Sequence, residues 1–343
     1  MRHLLNTLYV TTQDSYLARE GESVVVRHEE KTRLRVPIHT LSGIVCFGRV
    51  SCSPVLLGLC AERGVGICFL TEHGKFLARV QGPTHGNVLL RRAQYRAADD
   101  EHGRAAIASA VVTAKVANCR AVLLRAARER PQPDGSRELQ AAARRLGDIL
   151  SELESAPELE RVRGKEGEAA QVYFGVFNHL ITSAASDFSF PGRSRRPPLD
   201  NVNALLSFVY TLLVHDCTGA LETVGLDPAV GFLHADRPGR PGLALDLMEE
   251  FRSFVADRLA LSLINRRQVG GSGFSRAETG AVLMDDSTRR EVLVAWQKRK
   301  QEEIQHPFIG ERLALGLLPY VQALLLARHL RGDLDGYPPF FWR

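Results

Sequence analysis

The stretch from Gly225 to Phe254 reads GLDPAVGFLHADRPGRPGLALDLMEEFRSF, and the rest of the chain can be read as scaffolding around it. A turn at Gly225 to Pro228 leads into the apolar run Val230 to Leu233, which ends at His234. A loop of Arg, Pro and Gly follows over 236–242. From Leu243 the apolar residues Leu245, Met248 and Phe251 recur near the helical period, so a helix starts there. Asp246 and Glu249 are three apart on that helix and occupy neighbouring positions of one face. A histidine folding back from the preceding loop brings one nitrogen and two hard oxygens together, a donor set suited to Mn²⁺ or Mg²⁺. Taken singly, each residue also fits an ordinary role, His234 in a core or at a surface and the Asp–Glu face in solvent.

Downstream, the helix is expected to extend towards Asn265. The glycine-rich run 269–274 reads as a flexible loop and lacks the Gly-Lys-Ser/Thr ending of a phosphate-binding loop, so no nucleotide site is expected. A charged helix over 289–305 and a final helix over 309–331 follow. The aromatic tail 337–343 cannot stay helical and is expected to dock on its own domain or on a partner. Upstream, Asp200 caps a helix on which Asn203, Ser207 and Tyr210 share one face. The loop 188–198 before it is basic, with Arg193, Arg195 and Arg196 as candidate phosphate contacts and Phe190 as a candidate stacking ring. Glu166 is expected in the first turn of a helix over 163–177, where the helix dipole favours an ionised carboxylate. Gly164 and Gly167 flank it at a cost in helix stability that close approach of a ligand would explain. Helices over 105–128, carrying Lys115, Arg120, Arg125 and Arg128, and over 136–154 are expected to pack as an antiparallel pair.

The first 80 residues have a different texture. Short alternating runs at 4–10, 22–28, 31–36 and 40–47 read as strands, 53–62 as a helix ended by Gly64, and 65–70 and 76–80 as strands about a turn at Gly74-Lys75. The Gly- and Pro-bearing segment 81–87 is the best boundary. The fold class is therefore α+β: a β-rich domain over 1–82, a linker over 83–102 and an all-α domain over 103–343. In the linker, Arg91 and Arg92 are candidate DNA-phosphate contacts and Tyr95 a candidate base-stacking ring, or else the face is simply solvated.

Composition sets the class. With 343 residues, 45% hydrophobic and 24% charged, the chain is globular and long enough for two cores. A net charge of +5 leans towards a polyanionic partner. Six cysteines without a Cys-x-x-Cys pair read as reduced, buried thiols of a cytoplasmic protein. The start is too short and polar for a signal peptide, and the apolar stretch 313–327 falls short of a membrane span.

The string His234, Arg237 and Leu-Ala-Leu-Asp-Leu-Met-Glu-Glu-Phe-Arg at 243–252 closely resembles the central motif of the CRISPR-associated integrase of spacer acquisition. So does the glycine-flanked glutamate in Arg163-Gly-Lys-Glu-Gly-Glu-Ala-Ala170, with Tyr173-Phe174 after it. The likeness keeps its order over nearly the whole chain, and the tail resembles the form found with one branch of type I systems. It implies a metal-dependent DNA endonuclease and integrase that inserts DNA fragments by 3′-hydroxyl attack on a phosphodiester. Glu166, His234 and Glu249 match the family's metal ligands for Mg²⁺ or Mn²⁺, and Asp246 is an auxiliary candidate. Some members carry Asp where this chain has Glu249, so the division between Asp246 and Glu249 stays open. His234 is either a ligand or an acid–base group, and Tyr210 either lies near the scissile phosphate or packs in the core. Arg252 joins the DNA-binding candidates. Expected partners are branched and double-stranded DNA, a second copy through the N-terminal domain and a small ferredoxin-like dimer, with no membrane. The competing readings are a catalytically silent DNA-binding subunit, which needs the basic loops but not the carboxylates, and a small-molecule metallohydrolase, which needs the reverse.

Overall fold

The computed structural model describes residues 7–41, 43–72, 76–80, 88–129, 133–154, 158–183 and 187–342. The N-terminal part forms two four-stranded sheets. One has the order β1 (Thr7–Val10), β5 (Gly43–Phe47), β7 (Gly66–Leu70) and β8 (Phe76–Val80), the first three strands parallel and β8 antiparallel to β7. The other has the order β4 (Lys31–Pro37), β3 (Ser23–His28), β2 (Ser15–Glu20) and β6 (Val50–Cys52). The expected turn at Gly74-Lys75, residues 4–6 of the first strand and the boundary segment 81–87 lie outside the described residues. β2 has no strong alternation in sequence; it is drawn into the sheet by antiparallel pairing with β3 around the tight turn at Gly21, φ 59°. Helix α1 (Pro54–Arg63) starts on a Ser53 side-chain cap and stops at left-handed Gly64, as the sequence suggests.

Alternation on β5 and β7 ties the two halves together. Ile44, Cys46 and Ile67 face inward against Leu17, Val24, Leu56 and Leu59, closing the core of the β-rich part. Val45, Phe47, Cys68 and Leu70 point the other way and join the large helical core, where Phe47 meets Phe208 with ring centroids 6.0 Å apart. That double burial explains why β5 is apolar at every position.

The C-terminal part is built on two long helices, α3 (Glu101–Glu129) and α6 (Asn201–Val224). Both are long and apolar enough to cross a membrane by composition, and both spend that surface on the core, with 61% of the apolar window buried in each. α3 pairs with α4 (Pro133–Glu154) as an antiparallel hairpin: Ser136 Oγ donates to the carbonyl of Ala127 and Arg120 Nε to that of Ala143. α5 (Leu159–Gly175) packs on both. It begins four residues before Arg163, so Glu166 lies two turns inside it and the helix-dipole argument does not apply. The segment expected as one helix to Asn265 is three pieces: α7 (Gly242–Glu249), a π-helical turn at Arg252–Asp257 and α8 (Arg258–Asn265).

The expected all-α character is corrected here. β9 (Phe274–Arg276) pairs with β10 (Val282–Met284) from the end of the stretch expected to be a flexible loop, and β11 (Glu303–Gln305) pairs with β12 (Arg312–Ala314). These ribbons are three residues a side, too short for a periodic signal. The helices beside them are shorter than expected: α9 (Asp286–Gln301) and α10 (Leu318–Leu330), with α2 (Val88–Asp99) leading into α3. The aromatic tail docks on its own domain. Phe340 is buried against Phe251 and Phe254, and the Trp342 ring stacks on Phe254 with centroids 5.7 Å apart.

Candidate active site

The loop that ends at His234 is held in place from three helices before any chemistry is considered. Buried Gln94 of α2 donates to the carbonyls of Asp227 and Val230, at 2.8 and 2.9 Å, and accepts from the amide of Asp227. Arg104 of α3 donates to the carbonyl of Phe232 and Arg163 of α5 to that of Leu233, at 2.9 and 2.8 Å. Two glycines let the loop press against α7. A Cβ on Gly231 would lie 2.7 Å from the Gly242 backbone and 2.8 Å from Asp246 Oδ2, and one on Gly242 would lie 2.6 Å from the Ala229 carbonyl. Only a chain without side chains at both positions makes that approach.

Asp246 is the anchor of the loop. Its Oδ2 accepts from the amides of Phe232 and Leu233, its Oδ1 from the amide of His234, and the His234 ring meets Oδ1 through Nδ1 at 2.7 Å. The carboxylate is 1% exposed. An ionised carboxylate accepts only, so Nδ1 carries a proton, and in the neutral ring Nε2 is the nitrogen that keeps its lone pair. Asp246, an auxiliary candidate ligand from the sequence, is thus already engaged by the loop. Both of its oxygens accept hydrogen bonds from the loop, and it orients the His234 ring.

Glu249, one turn further along α7, is buried at 3% exposure. Arg252 Nη1 pairs with its Oε1, and Lys115 Nζ of α3 lies 2.7 Å from its Oε2 at an angle that leaves this oxygen without a directed hydrogen bond. Burial alone pushes the Glu249 carboxyl up, but the Arg252 guanidinium and the Lys115 ammonium together hold it well below the usual carboxylate range. The same Lys115 ammonium pairs with Glu166 of α5. Burial disfavours its charge, and Glu249 and Glu166 overrule that, so its pKa rises. The structure thus brings Glu166 and Glu249 together through Lys115 rather than onto a shared point. Among the described residues no three His, Cys, Asp or Glu side chains converge closely enough to hold a cation as they stand. The donor chemistry nevertheless fits a divalent ion: an imidazole with a fixed tautomer and two ionised oxygens, one of them buried without a directed donor. A Cβ at Gly164 or Gly167 would meet open space, so packing does not require either glycine.

Beside this centre, Asn203, Ser207 and Tyr210 do share a face of α6, and one residue gathers all three. Arg193 donates to Asn203 Oδ1 at 2.6 Å and Ser207 Oγ at 3.2 Å, and lies over the Tyr210 ring at 5.3 Å. Arg193, a candidate phosphate contact, thus engages acceptors within the chain while also lining the cleft beside this centre. Arg252 covers the other face of the ring at 4.4 Å, and the Tyr210 hydroxyl donates to Asp257 Oδ1 at 2.5 Å. Tyr210 is therefore a packed tyrosine at the edge of the site, and Arg252 gives its charge to Glu249 first. Burial pushes the Asp257 carboxyl up to about 6. Phe190 is also corrected: it is buried against Phe174 and Phe177 and presents no free face. Arg195 and Arg196 are exposed, as is Arg92, while Arg91 is half-buried. Tyr95 donates to Asp227 Oδ2 at 2.8 Å, so its hydroxyl braces the His234 loop.

His234, Glu249, Arg252 and Tyr210 open into a cleft of about 2810 Å³ between the β-rich part and the helices, lined also by Arg193, Arg195, Arg196 and Arg237, while Glu166 and Lys115 are not among its lining residues. Lys115 escaped sequence reading because it sits on a long helix with other basic residues. The signal was its company: Val112, Ala114, Val116, Asn118 and Cys119 around it are all buried.

The family described as CRISPR associated protein Cas1 matches residues 8–298. The chain is similar over its full length to "CRISPR-associated endonuclease Cas1 1" of Chlorobaculum tepidum, 56% identical over 343 residues with all of both chains covered. It is 54% identical over 347 residues to "CRISPR-associated endonuclease Cas1 2" of Rhodospirillum rubrum, again with all of both covered. Among solved structures, a CAS1 protein from Thermotoga maritima has the same fold, with a TM-score of 0.82 at 22% identity, covering 95% of this chain and 97% of that one.

Proposed function

The chain belongs to the Cas1 family of CRISPR-associated proteins, and from that premise we propose that Glu166, His234 and Glu249 form its active centre. It is a DNA endonuclease and integrase of spacer acquisition. The observation that carries the assignment of residues is the Asp246–His234 pair. It fixes one imidazole nitrogen as a lone-pair donor beside Glu249, in a cleft whose rim carries arginines.

Glu166, His234 and Glu249 would hold one divalent cation, Mg²⁺ or Mn²⁺, which supplies Lewis-acid polarisation of the phosphodiester and eases deprotonation of the attacking water or 3′-hydroxyl. The protein does the rest. Asp246 keeps the His234 ring at one orientation and tautomer. Arg252 and Lys115 keep Glu249 ionised although it is buried. The packed Tyr210, between Arg193 and Arg252, keeps Arg252 on Glu249. Arg195, Arg196, Arg92 and Arg91 would meet duplex backbone by charge. Joining exchanges one phosphodiester for another and needs no nucleotide cofactor. The protein would act in the cytoplasm as a homodimer held through its β-rich part, with a small ferredoxin-like dimer bridging two such pairs.

The test is cutting of branched DNA with and without Mn²⁺. Glu166→Ala, His234→Ala and Glu249→Ala are each expected to lose at least about 100-fold in rate, because a metal site fails as a unit. DNA affinity measured without metal should stay largely intact, since phosphate contact is spread over many basic residues. Full activity in any two of the three variants, or cutting indifferent to Mn²⁺, would overturn the reading and favour a catalytically silent DNA-binding subunit.

A further inference from the structure

Lys115 is a cation built into the place where the proposed reaction needs one. Its side chain is 8% exposed and reaches from α3 to carboxylates on two other elements, Glu166 of α5 and Glu249 of α7. Arg252 takes the second oxygen of Glu249. Asp246 adds a third carboxylate, but three backbone N–H groups and the His234 ring already meet its charge. Glu166 and Glu249 therefore face two fixed cations, Asp246 leaves a single negative charge over, and most of the site's charge is already met before any metal enters. A dication arriving alone meets a buried ammonium and guanidinium at short range, where salt screens little.

A phosphodiester changes that balance. It brings negative charge into the cleft onto which His234, Glu249 and Arg252 open, and it offers Arg252 another anion, which would draw off one of the two cations that hold Glu249. We infer that Lys115 is the resident counter-ion of Glu166 and Glu249, and that a divalent cation enters this site together with a DNA phosphate rather than ahead of it. Metal and DNA then strengthen each other's binding by the same factor, because coupling between two ligands is reciprocal. The consequence is protective: the free protein holds its metal weakly and becomes competent on DNA. The inference rests on Glu166, His234 and Glu249 being the metal ligands.

The experiment counts free Mn²⁺ by electron paramagnetic resonance over the full-length protein, alone and with a phosphorothioate-linked branched duplex that resists cutting. The wild type should bind Mn²⁺ about tenfold tighter with the duplex, a factor ordinary for coupled sites. Lys115→Met should bind Mn²⁺ tighter than the wild type in the absence of DNA and gain little from the duplex. Lys115→Arg, which keeps the charge, should retain the coupling. The wild-type comparison stands even if Lys115→Met does not fold. Equal Mn²⁺ affinity of the wild type with and without duplex overturns the inference. So does Mn²⁺ binding that His234→Ala abolishes but Lys115→Met leaves unchanged, and that outcome spares the metal-ligand assignment. No Mn²⁺ bound by any form, with or without DNA, overturns both.

Discussion

At the scale of the residue, the site is a set of charges that would each be costly alone. Asp246 and Glu249 are both buried, and each survives there because its partners are close and directed. Their roles follow from those partners, not from their spacing. Asp246→Asn keeps the shape but turns an amide group towards donors that need an acceptor. It is expected to lower Mn²⁺ affinity or cutting rate about 10–100-fold, the usual cost of losing the partner that orients a histidine ligand. Unchanged binding and cutting would remove Asp246 from the account. Sequence spacing makes Asp246 and Glu249 equivalent neighbours on a helix face, and it cannot reveal that three backbone amides 12 to 14 residues upstream already claim one of them. The same limit hid Lys115. Charge on a helix reads as solvated until the packing of α5 and α7 against it is known.

Glu250, beside Glu249, shows how far neighbouring carboxyls can diverge. It is fully buried, accepts from Tyr337, Gln322 and the Phe340 amide, and is pushed by burial up to about 7. A folded-state pKa above the unfolded value means the native state holds the proton more tightly. The stabilisation is complete below about 4.5 and is lost as pH rises through about 7. Glu249, held low, behaves oppositely, contributing above its unfolded value and losing that only in acid. Between pH 5 and 8 the melting temperature of the wild type should therefore fall more steeply than that of Glu250→Gln. Parallel curves would show that this carboxyl does not carry the linkage.

At the scale of the element, the decisive feature is the contact of the His234 loop with α7 through Gly231 and Gly242. Gly231→Ala forces a methyl group into backbone and into Asp246. It is expected to cost about 1–3 kcal/mol, the range for overpacking a tight contact, and to lower cutting more than its loss of stability explains. Thermal denaturation and a nuclease assay on the same preparation check this, and a stable, fully active variant would contradict it. Elements with strong local signals were legible: α1 with its Ser53 and Gly64 ends, the Asp200 cap of α6 and the valine-rich strand β3. The helix carrying Glu249 was not followed correctly beyond it. The π-helical turn at Arg252–Asp257 comes from tertiary demand, as Glu250 turns in to the tail and Asp257 to Tyr210, and neither pull leaves a local signature.

At the scale of the molecule, the β-rich part and the helices are joined through β5 and β7, whose two faces serve two cores. The cleft lies along that junction, so the scaffold that buries Val45 and Phe47 also fixes the walls of the site. The split into β-rich and helical halves was readable because the period of hydrophobic residues changes near residue 80. The two three-residue ribbons were not, since pairing that short is set by the surrounding fold. The central claim is that this cleft exchanges phosphodiesters, with Glu166, His234 and Glu249 at its centre. The most direct measurement offers the protein a short duplex, a supercoiled target carrying repeat DNA, the bridging partner and Mn²⁺. Joined product should form from 3′-hydroxyl ends and vanish with dideoxy ends or with His234→Ala. Equal joining from blocked ends, or joining that survives His234→Ala, would contradict the account.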